Sequence, residues 1–255
     1  MLLAVDIGNT NVVIGCFEKE KLEHQFRFKT DTARPLDEYA ALILSLAGRK
    51  YPDSGRISGC IISSVVPLLT PLFLRFSREY LGVEAVTVTC DNAGIDLNVL
   101  EPAKVGADRL VNAVAARELY GAPSLVVDFG TATTFDLVGP AGTYEGGVIA
   151  PGFSGSLETL VRTTALLPRI ELQWPESAIG RTTVSAMQAG VVRGYVCMVD
   201  GLIDMIQEES GEIKTIIATG GLGGVITEHS KRISVYSPDL TIMGMLLIAK
   251  KTGMV

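Results

Sequence analysis

The chain has 255 residues, of which 47% are hydrophobic and 20% charged, enough for one or two cored domains of an ordinary globular protein. A net charge of −6 argues against a nucleic-acid partner, and no run approaches the roughly 18 apolar residues of a membrane span. The four cysteines (Cys16, Cys60, Cys90, Cys197) form no C-x-x-C pair and the two histidines are isolated, which favours buried free thiols over a disulfide framework or a zinc centre.

The first residues enter an apolar strand with no basic leader or cleavage site, so a cytoplasmic protein is expected. Leu2 to Val5 reads as that strand, Asp6-Ile7-Gly8-Asn9-Thr10-Asn11 as a turn, and Val12-Val13-Ile14-Gly15 as the returning strand. Residues 23–29 alternate as a third, half-exposed strand. Residues 36–49 have helical spacing (Leu36, Tyr39, Ala40, Ile43, Leu44, Ala47), with Asp37 and Glu38 in the first turn. A strand is predicted at 57–66, a helix at 68–81 and a strand at 85–88. Val105 to Leu110 opens a further helix running to about 119, and Gly121-Ala122-Pro123 breaks it.

The plan then repeats. Strands are predicted at 124–129, 133–138 and 143–149, followed by a helix over about 155–164. Residues 166–182 carry two prolines and read as an irregular crossing. The longest helix is predicted over 183–209, with Val184, Met187, Val191, Tyr195, Met198 and Leu202 on one stripe and Ala186, Ala189, Gly190 and Gly194 among them. That stripe fits a domain core or a dimer seam. A strand at 214–219 runs into a Gly220-Gly221-Leu222-Gly223-Gly224 turn, and 239–251 closes the chain as a helix. Two domains follow, 1–120 and 121–255. The βββαβα order of each is the RNase H-like arrangement of sugar kinases, actin and Hsp70-type ATPases.

The second copy of the opening pattern is Asp128-Phe129-Gly130-Thr131-Ala132-Thr133, after the apolar Ser124 to Val127. A carboxylate at the end of a buried strand needs a partner. Gly130 permits a tight turn, and nearby hydroxyls and amides can meet oxygen-rich ligands. One such turn alone fits an ordinary hairpin whose Asp bonds its own backbone. Two copies suggest related domains facing each other across a nucleotide. No Gly-Lys dipeptide is present, which excludes a Walker A loop, and no G-x-G-x-x-G follows a strand. Phosphate binding would then rest on the paired Asp-x-Gly turns and a metal ion. For a group that accepts a hydroxyl proton, Gly106-Ala107-Asp108-Arg109 is the candidate: Asp108 can address a hydroxyl while Arg109 clamps a carboxylate. The alternative is a helix-start Asp with a surface Arg partner.

Asp6 to Asn11, Pro102 to Arg109, Asp128 to Thr133, Gly146-Gly147-Val148-Ile149-Ala150-Pro151-Gly152 and Thr219-Gly220-Gly221 occur together in this order. Their combination resembles the type III pantothenate kinase family over essentially the whole chain. The resemblance implies two RNase H-like α/β domains of the acetate and sugar kinase/Hsp70/actin superfamily, with the nucleotide in the interdomain cleft. It implies a homodimer that phosphorylates pantothenate with ATP, the first step toward coenzyme A. By resemblance, Asp6, Ile7, Gly8, Asn9, Thr10, Asn11, Val12 and Val13 meet ATP phosphates, Asp6 with Mg²⁺, and Thr131 also meets the nucleotide. Gly220 and Gly221 would lie beside adenosine. Asp128 matches the ligand of a monovalent cation, K⁺ or NH₄⁺. Gly106, Ala107, Asp108 and Arg109 match the pantothenate site, with Asp108 as proton acceptor and Thr183 as a further contact. Many members carry a Tyr seven residues before the Gly of that motif; here the position is Val99, which implies either a more apolar pocket wall or another residue supplying the contact. Two rivals stand beside this reading: a non-enzymatic transcription accessory protein of the same fold, and a kinase of another small hydroxylated acceptor.

Overall fold

The computed structural model describes residues 1–50 and 57–254. The chain divides into two units, Met1–Leu119 with Asp239–Val255, and Tyr120–Pro238. Among the described residues the strands form two five-stranded sheets, one in each unit.

The first unit contains β1 (Leu2–Ile7), β2 (Asn11–Glu18), β3 (Lys21–Lys29), α1 (Leu36–Lys50), β4 (Gly59–Ser64), α2 (Thr70–Phe76), β5 (Ala85–Thr87) and α3 (Ala107–Tyr120). Its sheet order is β3-β2-β1-β4-β5, with β1–β2 and β2–β3 antiparallel and β1–β4 and β4–β5 parallel. Short turns suffice for the antiparallel pairs, whereas the parallel return to β4 needs the α1 crossover. The central β1 buries Leu2, Leu3, Ala4, Val5 and Ile7, as a strand covered on both faces must. On α1 the apolar stripe buries Leu36, Tyr39, Ala40, Ile43 and Ala47, while Leu44 turns outward. The strand predicted over 57–66 is shorter, Gly59–Ser64, and its ladder to β1 closes with the Val65 N–H donating to the Ile7 carbonyl at 3.0 Å. The helix predicted over 68–81 is α2 followed by a π-helical turn, Ser77–Leu81, stopped by Gly82 at φ 69°.

The second unit contains β6 (Ser124–Phe129), β7 (Ala132–Val138), β8 (Tyr144–Pro151), α4 (Phe153–Thr163), α5 (Thr183–Gln188), α6 (Gly194–Ser210), β9 (Thr215–Gly220), α7 (Gly223–His229) and β10 (Val235–Tyr236). Its sheet, β10-β9-β6-β7-β8, repeats the first in order and direction: two antiparallel pairs, then two parallel ones. Two features differ from expectation. A helix, α7, begins inside the glycine-rich turn, and a short tenth strand follows it. The long helix is interrupted by a π-helical turn at Ala189–Arg193.

The closing helix α8 (Leu240–Lys251), assigned from sequence to the domain 121–255, packs instead in the first unit. Gly244 faces α3, where a Cβ would overlap the Val111 carbonyl oxygen, so glycine lets the two helices cross closely. Ile242 packs where Gly15 of β2 leaves room, and Thr241 Oγ1 donates to the buried Asn112 Oδ1 at 2.8 Å. Leu240, Ile242, Met245, Leu246 and Ile248 are buried, each worth about 1.5–3 kcal/mol of apolar burial.

The cysteines are free, as expected, but only Cys16 and Cys60 are buried. Burial pushes their thiols up to about 11 and about 12, respectively. Cys90 is half-buried and Cys197 is exposed. Among the described residues no helix is long and apolar enough to cross a membrane.

Candidate active site

The turn between β1 and β2 carries the first acid motif. Asp6 sits half-buried near the end of β1, opposite Val13 and beside Ser63 of β4. Ser63 Oγ donates to Asp6 Oδ1 at 2.9 Å, which holds the carboxylate at the strand end. The Gly8 N–H donates to the Asn11 carbonyl at 3.0 Å, closing the turn. Two bonds from Thr30, just past β3, fasten it: Thr30 Oγ1 donates to the Gly8 carbonyl at 2.6 Å, and its N–H donates to the Thr10 carbonyl at 2.9 Å. Asn9, Thr10 and Asn11 face solvent, whereas Ile7 and Val12 are buried ladder residues that shape the turn.

The GADR motif opens α3 on the same part of the first unit. The Val65 N–H bonds Ile7, and the Val65 side chain would lie 3.5 Å from a Cβ on Gly106, so one residue bridges both motifs. That Cβ would come within 2.5 Å of Asp108 Oδ1, so glycine leaves space for the carboxylate to fold back. Asp108 Oδ1 accepts the Arg109 N–H at 2.8 Å. Burial raises the Asp108 carboxyl above the ordinary carboxylate value, against a smaller lowering by the Arg109 N–H and guanidinium. A raised but ionisable carboxyl suits a proton acceptor. Val99 is half-buried in the segment before α3, and the adjoining Leu100 is fully exposed.

In the second unit, β6 and β7 make the corresponding turn. Gly130 N–H donates to the Ala132 carbonyl at 3.1 Å, so this turn is one residue tighter than the first. Thr131 is exposed at its tip. Gly152, after β8, supports it from behind: a Cβ there would overlap the Thr131 carbonyl oxygen. Thr133 and Tyr195 share a buried hydroxyl hydrogen bond, and Phe153 packs edge-on against the Tyr195 ring at 5.3 Å. Gly220 ends β9 beside Asp128, at φ 84°. A Cβ on Gly220 would reach 2.6 Å from Asp128 Oδ1 and 2.7 Å from the Phe129 carbonyl oxygen. Gly221 is open to solvent, and Gly223 packs against the Tyr236 ring. Thr183 is the exposed first residue of α5, behind a capping box in which Thr182 Oγ1 accepts the Ser185 N–H at 3.1 Å.

The corner formed by Asp128, the Phe129 carbonyl and Gly220 presents oxygen atoms where a Cβ would otherwise intrude, which suits a hard cation. Among the described residues no three His, Cys, Asp or Glu side chains converge on a metal site. Asp6 offers a carboxylate at the first turn, which fits a divalent ion whose other ligands are phosphate oxygens.

The sequence-predicted residues other than Val99, Thr183 and Gly221 fall in one of two groups. The first unit brings together Asp6 to Val13 with Gly106 to Arg109; the second brings together Asp128, Thr131 and Gly220. Sequence reasoning missed Ser63 and Thr30, and it named Gly152 only within a motif and Tyr195 only on a helical stripe, not as supports of the second turn. Only the small or hydroxyl character of some of them could have hinted at it.

The family model described as Type III pantothenate kinase matches residues 2–205. A relative of that name from Gluconobacter oxydans is 45% identical over 255 residues, covering 99% of this chain and 94% of its own. One from Bacillus cytotoxicus is 42% identical over 254 residues, covering 99% and 97%. Among solved structures, the ADPNP-bound activator of 2-hydroxyisocaproyl-CoA dehydratase from Clostridium difficile aligns with a TM-score of 0.57 at 10% identity, covering 99% of this chain and 96% of that one. Component A of (R)-2-hydroxyglutaryl-CoA dehydratase from Acidaminococcus fermentans aligns with a TM-score of 0.54 at 12% identity, covering 98% of each. At such identities the likeness shows the fold alone, a two-unit α/β architecture.

Proposed function

The chain belongs to the type III pantothenate kinase family, and on that premise we propose how its residues divide the work of phosphorylating pantothenate with ATP. The exposed side chains of Asn9, Thr10 and Asn11 receive phosphate oxygens, with Asp6 turned toward the same end of β1. Thr131 adds a hydroxyl at the second turn. Gly220 and Gly221 let adenosine lie close to backbone. Asp108 takes the proton of the primary hydroxyl of pantothenate, and Arg109 holds its carboxylate by paired N–H donors. Thr183 supplies a further contact, and Val99 lines the acceptor with an apolar wall. When bound, Mg²⁺ with ATP and a monovalent ion at Asp128 supply neutralisation of phosphate charge, the main electrostatic need of phosphoryl transfer.

The observation that carries this reading is the Asp108 carboxyl. It is half-buried in the first turn of α3, raised by burial, and joined through Val65 to the Asp6 turn. A helix start favours the carboxylate form that burial disfavours, so the two effects oppose each other at this carboxyl.

An ADP-release assay with ATP and a panel of acceptors, with and without potassium or ammonium, tests it. Turnover is expected with pantothenate and not with sugars, rising from a low base as either ion is added. Asp128→Ala should flatten that rise. Wild-type activity indifferent to both ions would remove the cation role of Asp128. Turnover with another hydroxylated acceptor only would replace the substrate, and none at all would return the transcription-accessory reading.

A further inference from the structure

Residues 164–182, between α4 and α5, have no regular secondary structure, yet they end in the capped helix start at Thr183. Such a segment sets the position of Thr183 only if it is itself held. Its hold is local to the second unit. Leu172 and Trp174 pack against the core of that unit, and Pro175 is buried between exposed Gln173 and Glu176 on one side and the other. The Trp174 ring stacks on His229, the last residue of α7, with centroids 3.8 Å apart and planes 13° from parallel. The guanidinium of Arg193 lies over the Trp174 ring at 4.8 Å.

Arg193 also bonds the segment's backbone. Its Nη2 donates to the Pro175 carbonyl at 2.8 Å and the Glu176 carbonyl at 3.3 Å, and its Nε donates to Pro175 at 3.3 Å. Arg193 is the last residue of the π-helical turn, a local irregularity often found at functional sites. At the far end of the segment, Gly180 abuts the first turn of α5, where a Cβ would overlap the Ala186 N–H. Trp174 is therefore the centre of a clamp joining the π-turn, α7 and the segment that leads to Thr183.

We propose that Trp174, clamped by Arg193 and His229, is a positioning residue for the acceptor substrate, acting through Thr183. This rests on the reading that Thr183 contacts pantothenate. The clamp does not touch the reacting atoms; it sets where the α5 start stands. Loss of the ring should weaken acceptor binding while the nucleotide side and the base remain. A displacement of about 1 Å at a positioned contact is enough for a large kinetic effect, so a rise in the pantothenate KM of roughly 10-fold is expected.

Steady-state kinetics of Thr183→Ala, Trp174→Ala, Trp174→Phe and the Thr183→Ala/Trp174→Ala pair test the idea, with circular dichroism and thermal melts to establish folding. Trp174→Ala should raise the pantothenate KM and leave the ATP KM unchanged, and Trp174→Phe should restore most of the binding. In the double variant the two effects should fall short of multiplying, because one acts through the other. A merely structural role would predict multiplying effects, or an equal change in both KM values. If Trp174→Ala does not fold, Arg193→Gln and His229→Ala are read the same way, with His229→Phe as the ring-preserving control. Trp174 is the sole tryptophan, so its fluorescence reports directly whether each His229 or Arg193 variant has opened the clamp. An unchanged pantothenate KM in a folded variant with an opened clamp overturns the proposal while the family reading stands. An unchanged KM in Thr183→Ala overturns the Thr183 contact itself, and the clamp's role with it.

Discussion

At the scale of single residues, Asp108 carries opposed demands. Its carboxyl is raised by burial, so its ionised form costs the fold stability that the protonated form does not. That contribution is fully present below the ordinary carboxylate pKa and is lost as pH rises through the raised one. Asp108→Asn removes the charge and keeps an oxygen for the Arg109 N–H. The variant should therefore melt above wild type at neutral pH, with the difference shrinking as the solution is acidified. Its kcat should fall by roughly 10²–10⁴, and the acid limb of the wild-type pH–rate profile should lie above the ordinary carboxylate range. Normal turnover in Asp108→Asn would place the base elsewhere. Gly220 tests the second turn. Alanine there combines a φ of 84° with a Cβ 2.6 Å from Asp128 Oδ1. Gly220→Ala should weaken nucleotide binding and blunt the potassium response together, as titrations with ATP and with KCl would read. The motif acids and glycines were legible because their chemistry and order are local. Ser63 and Thr30 were not, since a hydroxyl 57 or 22 residues from its acceptor leaves no mark in the sequence.

At the scale of elements, phase decides what periodicity can tell. The stripe Met187, Val191, Tyr195, Met198, Leu202 continues a regular α-helix. The structure instead buries Met187, Val192, Tyr195, Val196, Val199 and Ile203. The π-turn at Ala189–Arg193 inserts one residue into the ladder, so the inward face beyond it moves on by one position. No residue pattern announced that shift. The start of α7 was hidden for a different reason: Gly223 and Gly224 are poor helix formers, and their place is set by the Tyr236 ring against them. The first sheet and four strands of the second, by contrast, were legible from apolar runs and acid-glycine turns, whereas the two-residue β10 is too short to leave a pattern. The helix α8 was legible as a helix but not as a member of the first unit, because Gly15 and Gly244 reveal their contacts only in three dimensions. Gly244→Ala presses a methyl group into the Val111 carbonyl and should destabilise the protein by about 1–3 kcal/mol. Urea unfolding should show the lower midpoint, and pantothenate and ATP KM values of the folded enzyme should not move.

At the scale of the whole molecule, we propose that the active protein is a homodimer in which Asp108 of one chain and Thr183 of its partner serve the same acceptor. Asp108→Asn mixed with a disabling Thr183 substitution, dissociated and reassembled or co-expressed, should then regain about a quarter of wild-type activity. Verified heterodimers without recovery would put both residues of a site on one chain. The path of the backbone has a further consequence. The chain leaves the first unit at Leu119 and re-enters it at Asp239, so the second unit is an insertion in the first. During synthesis on the ribosome, β1 to α3 emerge early but lack α8, whose apolar face must cover Val111, Ala115 and Gly15. The inserted unit, Tyr120–Pro238, is continuous and can mature before its host. A nascent chain stalled with residue 238 just outside the exit tunnel should resist protease across the insertion and be cut within 1–119, whereas extension past residue 251 should protect both. On this connectivity, the half of the protein that is translated first should be the half that finishes folding last.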